Sequence, residues 1–453
     1  MCRVFAGVAL LFGAASFLPA HEPAPDKAAT QLIDQLGSQD FKIREAAAKA
    51  IEALGPEALP ALRKAKDHPD LEVRRRIKEW IPKFEIEAFV SPKRVSLDAN
   101  NQPLEKIMAE LARQTGYQLE LAAAGDARAQ KPITLQLTKA TFWEALDKVC
   151  QEGALELSPV QVIPEKLMLT FEDTTSPYRV YQGAFRLRAG GFHYHQQTSK
   201  NIDFTHLPRK AVERDQKRDH QQSSESLSFH FDLVAEPRLK LLYLGEPSLI
   251  QALDDQKGSL IPKKEAEDER FGGRDRFFRL QRMHQRLVMG HQQPINVSLL
   301  VPTKAARSVK VLRGTIPVCL EKEKKRTVLV DNIAKAQGKK HRSDEFTVEI
   351  DLVKQLAGNQ YQVYFSFTPN KPRGQDPEGE VDGSFELEDA KGGRYEAGSV
   401  GMTIGDQRTE ASIGFRPSFN NVGPLGPPIR LVYIKSIPME YHLPFEFKDL
   451  PLP

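Results

Sequence analysis

The chain has 453 residues, a formal net charge of +4, 40% hydrophobic residues and 27% charged residues. Single hydrophobic cores rarely grow beyond ~250–300 residues, so this length excludes a single domain. The composition is that of a folded soluble protein, and the net charge is too small to indicate a nucleic acid as the partner.

Residues 1–20 have the pattern of a secretory signal peptide. Arg3 precedes the apolar run Val4–Leu18, and the small residue Ala20 follows it. A positive end, a short apolar core and a small residue at the cleavage site predict export and removal of the segment. We therefore expect a periplasmic or secreted protein. No later segment has the ~20 apolar residues needed to cross a bilayer, so we expect no transmembrane segment.

A helical pattern occurs twice within residues 27–85, at a spacing of 30 residues. Its apolar positions fall at i, i+4, i+7, i+8 and i+11, which places them on one face of a helix. Gly55 is a suitable C-cap for the first long helix, and Pro56 suits the start of the next. The pattern predicts two helical hairpins. The repeated positions are Asp40, Ile43, Arg44, Ala47, Ala50, Ile51 and Leu54, and then Asp70, Val73, Arg74, Ile77, Trp80, Ile81 and Phe84.

This repeat resembles the short HEAT-like repeats of phycobilin-lyase-type proteins. The resemblance rests on the motif Asp-x-x-Ile/Val-Arg at Asp40 and Asp70, and on Gly-Pro-Glu-Ala-Leu-Pro-Ala-Leu after the first copy. It implies that each Asp caps a helix and that Arg44 and Arg74 tie neighbouring repeats together. Independent solenoids normally need about three repeats, so we expect the following domain to stabilise these two.

A second duplication, at a spacing of 38 residues, lies within a domain predicted at 94–170. Each half has an alternating segment, a segment of helical period that begins at Leu104 or Phe142, and a further alternating segment after Gly116 or Gly153. Alternation predicts strands and the 3.6 period predicts helices. The sequence therefore predicts strand, helix, strand, twice.

The first half resembles the short N-terminal domain of secretins and TonB-dependent receptors. The match consists of Gln102–Met108, which begins the helix, and the turn Gln114–Tyr117 that follows it. Those domains recognise other envelope proteins and carry no catalysis, and the resemblance implies the same for this domain.

The small sheets of such a domain leave strand edges unpaired. We expect the edges of Val95–Leu97 and Tyr117–Leu121 to accept a strand from a partner, because an unpaired edge offers backbone donors and acceptors. This places protein binding in residues 86–160, with 27–85 as a brace, and not in 176–453.

Residues 176–453 predict two tandem immunoglobulin-like β-sandwiches, at 176–325 and 326–453. Short alternating runs are separated by Gly, Pro and Asp, as is typical of antiparallel sheets. The run Leu227–Leu233 is aligned with Phe346–Leu352 at an offset of 119. The expected fold class is therefore multidomain α+β: helical repeats, a duplicated βαβ domain and two sandwiches.

Later landmarks of the two sandwiches align at an offset of 134. Asp255–Gly258 matches Asp389–Gly392, and Ile295 with Val297 matches Ile429 with Leu431. A helical insertion is predicted at 263–287 in the first sandwich. Two cysteines of the mature chain, Cys150 and Cys319, are expected to be buried free thiols because a free Cys often packs as a small hydrophobe.

The metal-binding candidates are His193 and His195, which alternate along one strand and so project to the same face. His206, His220 and His230 are only loosely placed as a third ligand, which a metal site requires. The alternative is a surface strand rich in His. No nucleophile elbow, phosphate loop or dinucleotide motif is present, so we expect no catalysis and no cofactor.

Two basic clusters are interpreted as solvated surface and not as nucleic-acid sites, since the predicted export argues against nucleic acid. The expected function is that of an exported, non-catalytic protein–protein interaction or scaffold protein of the bacterial cell envelope. The alternatives are a metal-dependent hydrolase that acts on a cell-surface polymer through His193 and His195, and a structural spacer. The basic clusters are Arg209, Lys210, Arg214, Lys217 and Arg218, and then Arg270, Arg274, Arg276, Arg279, Arg282 and Arg286.

Overall fold

A computed structural model describes most of the chain, and antiparallel strands predominate in its mixed α+β fold. Two compact units are present, Met1–Ser91 and Pro92–Pro453. The predicted signal peptide 1–20, the predicted helix 263–287 and both basic clusters lie outside the described residues. The described residues are 25–122, 125–158, 166–172, 176–201, 220–262, 292–344, 346–370, 383–404, 408–418, 421 and 423–452.

The first unit contains two helical pairs, as the 30-residue repeat predicts. The Asp40 carboxylate accepts the N–H of Lys42 at 2.8 Å, and Asp70 accepts the N–H groups of Glu72 and Val73 at 2.8 and 3.1 Å. These bonds satisfy donors that a helix start otherwise leaves unpaired, which fixes where the long helices begin. The helices are α1 (Pro25–Leu36), α2 (Phe41–Leu54), α3 (Leu59–Lys64) and α4 (Leu71–Phe89).

The two repeated arginines act within their own repeats, contrary to the expectation that they tie neighbours together. Arg44 donates to the carbonyls of Ser38 and Gln39, and Arg74 makes the matching bonds 30 residues later. The reason is that helical side chains point back toward the N-terminus, over the loop that precedes the helix. The repeats are instead joined by Arg76, whose guanidinium bonds Glu45 at 2.9 Å.

The predicted apolar stripe forms most of the core of this unit. Val73, Ile77, Trp80 and Phe84 of α4 are all buried. Ile43, which was expected on the stripe, is 43% exposed. No earlier repeat among the described residues covers the first turn of α2, and terminal repeats of such arrays are commonly atypical.

We expect Phe84→Ala to unfold the first unit. The side chain is 1% exposed, and removing a buried Phe typically costs ~3–5 kcal/mol. Leu71→Ala is the matched control, since Leu71 lies on the same helix and is 75% exposed. Helical circular dichroism during heating measures the difference. If both variants lose their helical signal at the same temperature as the parent, the assignment of the stripe to the core is wrong.

Two strand–helix–strand halves follow, which confirms the 38-residue duplication. The N–H of Leu104 donates to the carbonyl of Lys131 in the second half, and the N–H of Phe142 donates to the carbonyl of Lys93 in the first half. Because each half makes the same bond to the other, the halves are related by a local two-fold axis. β1 pairs antiparallel with β3, while β5 lies between β2 and β4. The elements are β1 (Arg94–Pro103), α5 (Leu104–Thr115), β2 (Gln118–Leu121), β3 (Pro132–Thr141), α6 (Phe142–Gly153), β4 (Leu155–Leu157) and β5 (Lys166–Phe171).

The remaining strands form two β modules. Strands between residues 179 and 299 belong to the first module, strands between residues 340 and 417 belong to the second, and two long strands contribute to both. Their order in the chain is β6 (Arg179–Gln182), β7 (Phe185–Asn201), β8 (His220–Ala235), β9 (Leu241–Leu244), β10 (Ser248–Asp254), β11 (Gln292–Leu299), β12 (Ser308–Asp331), β13 (Lys340–Arg342), β14 (Phe346–Gln355), β15 (Tyr361–Pro369), β16 (Gly383–Asp389), β17 (Arg394–Ile404), β18 (Thr409–Pro417) and β19 (Pro428–Pro451).

Two sheets pack face to face in the first module. One sheet has the order β11-β8-β7-β6, and the other contributes β10, β12 and β19. Phe229 and Phe231 of β8 contact the rings of Phe447 and Phe445 of β19 at centroid distances of 5.3 and 5.4 Å. Aromatic pairs of this kind make large contributions to a core.

The second module differs from the expected sandwich, because the strands around its core belong to one sheet. That sheet has the order β10-β12-β19-β16-β17-β18-β15-β14-β13, and residues from seven of these strands share one core. The long strands β12 and β19 pair from Ser308 to Asp331 and run through both modules. The boundary expected at 325/326 therefore falls inside a strand.

The second module repeats the first, but with different strand partners from those aligned in the sequence. β7 pairs with β8, and β14 pairs with β15, and both pairs have a bulge at the same place. In the first pair, Ala189 is opposite Phe231 and Gly191 is opposite His230. In the second pair, Ile350 is opposite Phe365 and Leu352 is opposite Tyr364. The counterpart of β8 is therefore β15, at an offset of 134, and not β14. Likewise β11 pairs with β8 as β18 pairs with β15.

Each module has the same carboxylate-centred turn. Asp254 accepts the N–H groups of Gln256 and Gly258, and Asp389 accepts those of Lys391 and Gly393. The equivalent of Asp389 is therefore Asp254, one residue before the position aligned in the sequence. A Cβ on either glycine would lie 2.8 Å from the carboxylate, which explains why glycine stands there.

Candidate functional site

One edge of β1 has no strand partner among the described residues, as expected for Val95–Leu97. β1 pairs only with β3. Its side chains alternate, with Val95, Leu97 and Ala99 buried toward the helices and the residues between them exposed. A strand with one bonded edge and one open edge presents backbone donors and acceptors to an incoming chain. The edge strand β2 likewise pairs only with β5.

Part of this edge is closed by a side chain of α5. The Ser96 N–H donates to Oε1 of Gln114 at 3.0 Å, and Nε2 of Gln114 donates to the Ser96 carbonyl at 2.7 Å. The amide of Gln114 thus occupies the place that a neighbouring strand would take. Because residues i and i+2 of a strand present their backbone groups on the same edge, the open part of the edge continues at Asp98.

A cavity of about 370 Å³ lies along this open edge, between β1 and α5. We refer to it as the edge groove. It has a backbone edge on one side, a helix on the other and buried apolar side chains at its base. β1 contributes Leu97, Asp98, Ala99 and Gln102, and α5 contributes Lys106, Ile107, Ala109, Glu110 and Arg113.

A hydrogen-bonded network holds the Ser96 end of the edge groove. Arg113 donates two hydrogen bonds to Glu110, at 2.8 and 2.6 Å, and Gln114 donates a third at 2.7 Å. The Arg113 hydrogen bonds lower the pKa of Glu110 to about 2, so the carboxylate stays ionised at any physiological pH. Glu110 thereby orients Gln114 for its bonds to Ser96.

The second half of the domain is fixed to the first β module by buried charges. Asp147 on α6 is 4% exposed and accepts hydrogen bonds from Arg186 at 2.5 Å and Tyr181 at 2.8 Å. Glu156, also buried, contacts Arg179 at 3.3 Å and Arg188 at 3.1 Å. Buried ion pairs such as these require a defined geometry. They set the orientation of the domain, and hence of the edge groove, on the module.

A second buried carboxylate joins the start of this unit to the end of β8. Glu236 is fully buried and accepts the Tyr117 hydroxyl at 2.6 Å, the Lys93 N–H at 3.0 Å and Nε of Arg238 at 3.3 Å. Burial raises the pKa of Glu236 and that of the Tyr117 hydroxyl. All three donors are already engaged and the group is enclosed, so its role is structural.

The histidines expected to hold a metal lie at the surface. His193 and His195 are exposed on β7, and the His193 ring stacks on His230 at a centroid distance of 4.6 Å. His206 lies outside the described residues, and of His220 only the backbone is described. Within the described part of the chain, no three His, Cys, Asp or Glu side chains converge as metal ligands.

Cys150 and Cys319 are buried, as expected, and within the described part of the chain neither belongs to a disulfide. Burial raises the pKa of Cys150, so it remains a thiol and not a nucleophilic thiolate.

A second cavity, of about 270 Å³, lies over β14 and β15. Its lining includes two cations, Lys340 and Arg408, and Arg408 contacts Glu349 and Asp351 at 3.6 and 3.7 Å. Because β14 and β15 are each paired on both sides, this cavity does not lie along an open edge of either strand. Within the described ranges, no helix is long and apolar enough to cross a membrane.

Comparison of the chain with protein-family models, curated proteins and solved structures gives no match. The site must therefore be judged on its own geometry. Sequence reasoning located the open edges of β1 and β2. It did not predict that α5 lines the groove or that the Gln114 side chain bonds β1. The spacing of Lys106, Glu110 and Arg113, which places them on one face of a helix, could have indicated a polar helix face at this position.

Proposed function

We propose that this chain is an exported, non-catalytic protein of the bacterial cell envelope that binds another protein through the edge groove. The observation that carries the proposal is the open edge of β1 beside a helix-walled cavity. Addition of a strand to such an edge supplies main-chain hydrogen bonds, while the adjoining pocket supplies side-chain selectivity. Export rests on the pattern of residues 1–20, which predicts delivery to the periplasm or the exterior.

The other expected modules fit this role as supports. The helical pairs of the first unit are proposed to be HEAT-like repeats, and 94–170 a domain of the secretin and TonB-receptor type. The duplicated strands are proposed to derive from immunoglobulin-like modules. Folds of these kinds commonly present binding surfaces, but a fold alone does not fix a function, so the proposal depends on the edge groove.

The test is photo-cross-linking in the intact chain. Separating the halves near residue 175 would expose the buried charges of Asp147 and Glu156, so the whole protein is required. A photoreactive residue at Ala109, which is exposed and lines the edge groove, should cross-link one defined protein in cells. The control is the same residue at Gln151, an exposed position of α6 outside the groove.

The expected result is a cross-linked species from position 109 that is absent from position 151. The same set of products from both positions, or none from position 109, would contradict the proposal.

A further inference from the structure

Two charged side chains at the edge groove lack a partner within the described part of the chain. Asp98 and Lys106 both line the cavity and are exposed, and neither makes an ion pair there. The other two charges of the groove, Glu110 and Arg113, satisfy each other. The groove therefore has one anion and one cation for a ligand to neutralise.

These two charges lie on opposite sides of the plane of the β1 strand. Asp98 belongs to the exposed face of β1, between the buried residues Leu97 and Ala99. Lys106 belongs to α5, which covers the buried face. Successive residues of a strand project to opposite faces, so a strand added to β1 would direct alternate side chains toward Lys106 and toward Asp98.

The length of the added segment is also limited. Gln114 occupies the backbone groups of Ser96 at one end. At the other end Asn101 has φ of 51°, which breaks the extended strand. Only about three residues of a partner can therefore face the open edge.

We propose, on the basis of the function proposed above, that the edge groove recognises a short extended segment of a partner protein in which a basic residue stands between an apolar residue and an acidic residue. The basic residue faces Asp98. The apolar and acidic residues on either side of it face α5, the apolar one over Leu97 and Ile107 and the acidic one beside Lys106. Complementary charges of this kind determine specificity and register more than they determine affinity.

The test uses synthetic peptides and the intact mature chain. One peptide contains Thr-Val-Lys-Glu-Thr, and the second has the central charges exchanged, Thr-Val-Glu-Lys-Thr. Titrations followed by NMR should show that the parent chain prefers the first peptide. Asp98→Lys and Lys106→Glu should each weaken binding of the first peptide about fivefold, near the upper end of what one exposed ion pair contributes. The double variant should prefer the second peptide.

Ala109→Trp separates this inference from the proposed function. If Ala109→Trp abolishes peptide binding but the charge exchanges do not change the preference, the groove is the site and the inferred order is wrong. If Ala109→Trp leaves binding unchanged, the peptide binds elsewhere and the proposed function loses its site. Absence of binding by either peptide to the parent chain also overturns the inferred order.

Discussion

Asp147→Ala should destabilise the second unit by ~3–5 kcal/mol, because it leaves a buried guanidinium without its main counter-charge. Arg186 is 2% exposed, and its other carboxylate, Glu156, lies at 3.7 Å. Tyr181 would lose its acceptor as well. Loss of one partner from a buried pair costs far more than loss of the pair together, since the remaining charge cannot reach water.

Tryptophan fluorescence makes this measurement specific to the second unit. The chain has two tryptophans, Trp80 in the first unit and Trp143 in the second. In a Trp80→Phe background, urea unfolding therefore reports on Trp143, which is fully buried on the same helix as Asp147. Glu152→Ala is the matched control, since its ion pair with Lys148 is exposed and is expected to change stability by less than ~1 kcal/mol. Equal urea midpoints for Asp147→Ala and Glu152→Ala would show that the buried charges do not stabilise the second unit.

Asp389→Ala should destabilise the second β module by roughly 3 kcal/mol, because three part-buried backbone N–H groups lose a charged acceptor and a hydrogen bond to a charged group contributes ~1.5–3 kcal/mol. The carboxylate is 2% exposed and accepts three backbone N–H groups, from Gly426, Gly393 and Lys391, at 2.7 to 2.8 Å. Asp351→Ala is the control: Asp351 is exposed, and among the described residues its carboxylate contacts Arg408 alone, at 3.7 Å. The unfolding midpoints of the two variants give the comparison.

The same bonds give Asp389 a pH dependence. The Gly426 N–H, followed by those of Gly393 and Lys391, lowers the pKa of this carboxyl. A carboxyl whose folded-state pKa is lowered contributes its full stability above its unfolded pKa of ~3.9, and the contribution is lost as pH falls through the folded-state pKa. The stability difference between the parent and Asp389→Asn should therefore shrink between neutral pH and acid. A stability difference that does not change with pH would show that the folded state does not lower the pKa of Asp389.

The parts of the fold with helical periodicity could be predicted from the sequence. The 30-residue and 38-residue repeats were found at their observed offsets, because a 3.6-residue period with caps such as Asp40 and Asp70 fixes both phase and ends. The exposed position of Ile43 could not be predicted, since its burial depends on a neighbouring repeat and not on its own helix.

Strand correspondence could not be predicted in the same way. The run Leu227–Leu233 alternates like Phe346–Leu352, and alternation of period two contains no information about which strand is the partner. The bulge at Gly191 and its counterpart at Leu352 identify β7 with β14, but a bulge is visible only once the strands are paired. The same limit applies to the site: the open edge was predicted, whereas the Gln114 bond to Ser96 depends on tertiary structure.

The most direct test of protein binding through the edge groove is the affinity of the cross-linked partner for Ala109→Trp and Gln151→Trp. Both variants place the same large side chain on an exposed helical position, but only the first fills the groove. We expect Ala109→Trp to raise the dissociation constant at least tenfold, a loss of about 1.4 kcal/mol in binding free energy, while Gln151→Trp binds as the parent does. Equal affinities for the two variants would contradict it.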